Sequence, residues 1–137
     1  MSTEVHVARA VAAFGPGSPD HRVALLVGRH ELVADEPADN GGADAGPSPF
    51  GYLLSGLVSC TAITLRMYAQ HKGWDLDSIE VEARYDIAPD GRRTIMRTVT
   101  LPAGMTAEQR ERIAEIAKKT PVTKAVRDGT PIVTAFE

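Results

Sequence analysis

From Phe50 to Leu65 the sequence carries no charged residue, a run long enough to set the architecture around it. Ser48 supplies a helix N-cap and Pro49 a first helical residue, where the missing proline N–H has no intrahelical partner to lose. Gly73 suits the C-terminal cap, which favours a residue without a Cβ. The sequence therefore predicts one helix from Pro49 to about Lys72, roughly 36 Å long at 1.5 Å per residue. Its first two thirds carry no charge on any face. Burial all round is expected, in a core or against a second subunit.

A chain of 137 residues with 43% hydrophobic content supports one core, and a single domain over residues 1–137 is expected. The formal charge of -3 and the scattered Lys and Arg give no basic stripe for nucleic acid. The uncharged run is shorter than the roughly 20 residues that cross a bilayer. Met1–Phe14 carries Glu4, His6 and Arg9 and so lacks the pattern of a secretory signal. A soluble, cytoplasmic protein with neither nucleic-acid nor membrane partner is expected. One cysteine makes no internal disulfide, and His6, His21, His30 and His71 show no paired ligand spacing, so no metal and no cofactor is expected.

Before the run, "EVHVARAVAAF" and "HRVALLVGRHELVAD" read as an early strand meander about the turn "GPGSPDH". Asp35 to Pro49 is dense in Gly, Pro, Asp and Asn and reads as a loop. Its "GGADAGPS" only faintly resembles a phosphate-cradling loop, because Pro47 stands where a lysine is needed and prolines remove backbone donors. After the run, Ile79, Val81, Ala83, Tyr85 and Ile87 alternate with charged residues. Asp90-Gly91 signals a hairpin to a second strand, "RRTIMRTVTL". Thr106 and Gln109 form a capping-box pattern before an amphipathic helix through Lys119, with Ile113, Ala114, Ile116 and Ala117 on its apolar stripe. Thr120-Pro121 opens a short helix that ends at Gly129, with the Thr120 hydroxyl expected to cap it. "PIVTAF" reads as a closing strand. The sum is an α+β fold.

Cys60 is the lone cysteine, and Gly56 and Leu57 lie one turn below it. Glycine inside a helix costs about 1 kcal/mol relative to alanine, so Gly56 calls for a reason. Two stay open. With Gly51, Ser55 and Ser59 it makes a small-residue face for close helix packing, or it leaves a hole beside the sulfur for a small substrate. A reactive cysteine needs a cation or hydrogen-bond donors near its thiolate. Arg97 shares a strand face with Ile95, Val99 and Leu101 and is a candidate if it points inward.

The stretch from Asp35 to Trp74, the hairpin, and "EQRERIAEIAKKTPVTKAV" with "TPIVT" together resemble the OsmC/Ohr family of osmotically inducible and organic-hydroperoxide-resistance proteins. The resemblance implies antiparallel sheets wrapped around two central helices in an intertwined homodimer, with sites at the subunit boundary. It also implies thiol peroxidase chemistry, in which a first cysteine attacks a hydroperoxide and a second resolves the sulfenic acid. Cys60 matches the first cysteine, whereas the resolving position holds Thr120. Typical members also carry a glutamate just after the proline that starts the cysteine helix, where this chain has Phe50 and Gly51.

The expectation is a one-cysteine organic hydroperoxide reductase. Cys60 would attack, Arg97 or Arg29 would stabilise the thiolate, and an external thiol would act as reductant. Phe50, Gly56 and Leu57 would line the pocket for a small hydrophobic or peroxide ligand. The rival expectation is a non-enzymatic homologue that binds a small apolar ligand, with Cys60 as a packing residue.

Overall fold

The structure is a computed structural model and describes residues 3–137. Met1 and Ser2, the start of the segment read above as lacking a secretory signal, lie outside the described residues. The chain divides into two compact units, the first ending at Tyr52 and the second beginning at Leu53.

The first unit is built on a three-stranded antiparallel meander, β1 (Ala10–Ala13), β2 (Val23–Val27) and β3 (His30–Ala34), in that order. Two expected strand regions have become three strands because Gly28, at φ +58°, turns the second region back on itself. Ahead of β1 the expected strand is absent, and Val5 and Val7 stand exposed. The Gly-rich loop that follows is more ordered than its composition implies. Asp35, only 3% exposed, accepts the backbone N–H groups of Glu36, Ala43 and Ala45. A Cβ at Gly42 would overlap the Glu36 carbonyl, and one at Gly46 the Val33 carbonyl, so both positions need glycine for space. The Tyr52 hydroxyl donates to the Val33 carbonyl at 2.7 Å.

The long helix α1 spans Pro49–Lys72, and its ends follow the sequence reasoning. Ser48 Oγ accepts the Gly51 N–H at 3.1 Å. Gly73 adopts φ +75°, and the Trp74 N–H closes on the Ala69 carbonyl.

From Leu53 onward, the second unit contains the rest of α1, the hairpin of β4 (Glu80–Ile87) and β5 (Arg93–Thr100), and the helices α2 (Ala107–Ala117) and α3 (Pro121–Asp128). Gly91 takes a positive φ in the hairpin turn. Thr106 and Gln109 form the full capping box of α2. Leu65 and Ala69 of α1, Leu76, Met105, and Ile113 and Ala117 of α2 make the core, with Tyr68, Trp74, Val99 and Leu101 packed around it. The sheets, hairpin and three helices make the expected α+β fold.

Two expectations need correcting here. Within one chain the uncharged part of α1 is buried only along a single stripe, Leu57, Thr61, Leu65 and Ala69 at four-residue spacing, so burial all round would take a second subunit. Ile63 and Met67 are 59% and 62% exposed, because the sheet and α2 cover one side of a helix and apolar composition does not itself provide a cover for the other. Length and composition alone would also let α1 cross a membrane. The second correction concerns "PIVTAF", which forms no strand. Ile132, Val133 and Phe136 are almost fully exposed, with no neighbouring strand to take their backbone groups among the described residues.

Candidate functional site

The site grows from the polar member of the α1 core stripe. Thr61 is fully buried, and its hydroxyl donates to the Leu57 carbonyl one turn back at 2.7 Å. That oxygen still has a lone pair, and Arg97 of β5 uses it. Arg97 faces inward, across the sheet from small Ala83. Its Nη1 donates to Thr61 Oγ1 at 3.0 Å and to Thr123 Oγ1 at 2.8 Å, and its Nη2 donates to the Ala117 carbonyl at 2.9 Å. One guanidinium thus joins α1, the end of α2 and the first turn of α3. Burial holds Arg97 below the ordinary arginine value, though a guanidinium stays charged at any physiological pH.

Cys60, next to Thr61, is half-buried. Its Sγ accepts the backbone N–H of Val122 at 3.5 Å and lies 3.8 Å from the Thr64 hydroxyl, which leans back over it from the following turn. Val122 is the second residue of α3, and its N–H is one of the donors that a helix start leaves without an intrahelical partner. Thr120 holds the extended N-cap backbone, but its hydroxyl does not cap the helix, contrary to expectation. It is fully buried and turned to the Thr123 hydroxyl, which also receives Arg97. With the hydroxyl drawn into that polar cluster, the sulfur takes over the capping role.

The other expected site residues are dispersed. Arg97 donates to hydroxyls and a carbonyl, as above. Arg29 sits exposed in the β2–β3 turn of the first unit. Phe50 is half-exposed at the start of α1. A Cβ at Gly56 would meet nothing within 4 Å. Leu57 borders a cavity of about 500 Å³, together with Tyr85, Ile95, Arg97, Thr123 and Val126; neither Cys60, Gly56 nor Phe50 is part of its wall.

Sequence reasoning missed Thr61, Thr123 and the Val122 amide. A hydroxyl at four-residue spacing between Leu57 and Leu65, on a stripe otherwise apolar, was the available signal for Thr61. The Val122 amide had none, since it meets Cys60 from 62 residues away.

No curated protein matches the chain. Among solved structures it is similar to an organic hydroperoxide resistance protein OsmC from Legionella pneumophila, with 17% identity, TM-score 0.66, and coverage of 91% of this chain and 92% of that one. It is similar also to OhrB of Bacillus subtilis, with 20% identity, TM-score 0.61, and coverage of 89% and 91%. A third is an OsmC-like protein from Mycoplasma pneumoniae, with 15% identity, TM-score 0.67, and coverage of 89% and 88%. At such identities the likeness is one of fold. Residues 41–135 match the family described as OsmC-like protein, a span that holds α1 with Cys60, the hairpin with Arg97 and the helix start at Val122; the chain belongs to the OsmC-like family.

Proposed function

We propose that this protein is a thiol-dependent organic hydroperoxide reductase with one cysteine, serving an oxidative or osmotic stress response as a cytoplasmic homodimer of single-domain subunits. One observation carries the reading: the Cys60 sulfur accepts a hydrogen bond from the N-terminal turn of α3. A backbone N–H and the positive end of a helix both favour negative charge on an atom placed there, and the thiolate is the nucleophilic form. Family membership supports the stress role, as do relatives of this fold described as organic hydroperoxide resistance proteins. Solved structures of this fold match about nine tenths of the chain, which supports a single domain.

In this reading the Cys60 thiolate attacks the terminal oxygen of a hydroperoxide. An S–O bond forms as the O–O bond breaks, and the alkoxide takes a proton from water and leaves as an alcohol. Sulfur is oxidised to the sulfenic acid and the peroxide is reduced. With Thr120 at the resolving position, an external thiol attacks the sulfenic sulfur and expels water. A second thiol then releases the mixed disulfide and restores Cys60. Arg97 acts here as a positioning residue, because it ties Thr61, beside the cysteine, to Thr123, beside the donor amide.

Mass spectrometry of the protein treated with cumene hydroperoxide tests this. Cys60 should gain one oxygen, and added small thiol should convert that form to a mixed disulfide, with Cys60→Ser inert. A Cys60 that stays unmodified while a cysteine peptide in the same tube oxidises would overturn the reading.

A further inference from the structure

Arg97 presents an imbalance that the chemistry of Cys60 does not use. It is a half-buried cation whose three hydrogen bonds all go to neutral oxygens. Among the described residues no carboxylate lies within ion-pair distance of it, nor of Arg93 on the same strand face. Charges withdrawn from water are normally paired, so a cation held this way calls for a partner. Three of the five N–H groups of a guanidinium are accounted for at Arg97, which leaves two for another acceptor.

The surroundings select the sign and shape of that acceptor. Arg97 and Arg93 both border the cavity of about 500 Å³, a size typical of small-molecule sites, and no Asp or Glu lines it. The hairpin sorts its charge by face. Arg93 and Arg97 stand on one side with Tyr85 and no acid, whereas Glu80, Glu82 and Asp86 alternate to the other, together with Arg84, which pairs with Asp86. Helix α1 carries no acidic residue, and the one acid of α3, Asp128, is engaged by Arg127 at 2.9 Å. Arg93 donates to the Tyr85 hydroxyl and lies 6.0 Å from that ring's centre, so it too is held at the cavity mouth. The rest of the wall sets the apolar side chains Leu57, Ile95 and Val126 beside Thr94, Thr123 and Arg127, the last already paired with Asp128.

We propose that this cavity is a binding site for a small amphiphilic monocarboxylate, its carboxylate held by Arg97 and Arg93 and its hydrocarbon body on Leu57, Ile95 and Val126. Arginine suits the task because its planar donors match a carboxylate's two oxygens. The site does not depend on the redox chemistry of Cys60, which is absent from the cavity wall. Its test reads binding alone, so it can fail or succeed apart from the peroxidase reading.

Calorimetric titration with octanoate and with octan-1-ol separates charge from apolar burial. The protein should bind octanoate at least about tenfold more tightly than the alcohol, a difference near 1.4 kcal/mol, and the preference should shrink with added salt. Arg93→Gln, an exposed position that the fold does not need, should reduce octanoate affinity several-fold and leave octanol unchanged. Arg97→Gln should remove the preference. Equal binding of acid and alcohol, no binding of octanoate, or an Arg93→Gln protein with undiminished octanoate affinity would each overturn the proposal.

Discussion

The Val122 backbone N–H points at the Cys60 sulfur across 3.5 Å, in the place where a helix start ordinarily finds a side-chain hydroxyl. The exchange is tied to Thr120. Its own hydroxyl is drawn away to Thr123, and Thr123 in turn is held by Arg97. A residue that would cap α3 thus serves a buried polar cluster, and the orphaned amide turns to sulfur. Neighbouring positions of α3 therefore hold both a donor for Cys60 and the site of the missing second thiol.

That arrangement makes Thr120→Cys informative. Position 120 is two residues from the amide that touches Cys60, so a thiol there should capture the sulfenic acid formed at Cys60. The variant should lose both titratable thiols after one equivalent of hydroperoxide and gain an intramolecular disulfide, with no need for external thiol in that first turnover. Thiol counting and intact mass read the outcome. Retention of the introduced thiol in its free form beside an oxidised Cys60 would show that the two sulfurs cannot meet in disulfide geometry.

In the first unit, the loop before α1 hangs on one carboxylate. The Ala45 N–H, opposed by burial and aided by the N–H groups of Glu36 and Ala43, holds Asp35 below its usual value. A carboxylate with a depressed native pKa contributes stability that is complete above the unfolded value, about 3.9, and is lost as pH falls through the native one. Acid unfolding followed by circular dichroism should therefore show a loss of stability below about pH 4. Asp35→Asn should be less stable at neutral pH and should flatten that acid limb. An unchanged acid limb would mean that the loop does not need the ionised form.

These two sites were unequally legible in the sequence. The bounds of α1 followed from Ser48, Pro49 and Gly73, and the start of α2 from Thr106 and Gln109, because capping and positive-φ requirements act within a few residues. Strand alternation placed Arg97 on the face of Ile95, Val99 and Leu101 but left its direction open, which its bonds to Thr61, Thr123 and Ala117 decide. The direction of the Thr120 hydroxyl could not be read this way. N-cap preference describes an isolated helix start, and here a guanidinium from a distant strand competes for the same cluster. Nor could apolar composition tell which side of α1 the chain itself covers.

The uncovered side of α1 carries its own pattern. Exposed Leu53, Ile63 and Met67, with the half-buried Gly56 and Cys60 at their edge, follow one another at alternating three- and four-residue steps, the spacing of a seam that packs against another helix. Leu53, Ile63 and Met67 are 40%, 59% and 62% exposed, and Gly56 leaves room for close approach. An apolar stripe of this kind is costly in water unless something covers it, and in the proposed homodimer the partner subunit does so. Sedimentation should give about twice the 14.7 kDa mass of one chain. Ile63→Glu places a charge in the seam without touching the buried stripe of Leu57, Thr61, Leu65 and Ala69, so it should yield a folded monomer. A wild-type chain that sediments as a monomer, or an Ile63→Glu chain that remains dimeric, would remove this seam as the subunit interface.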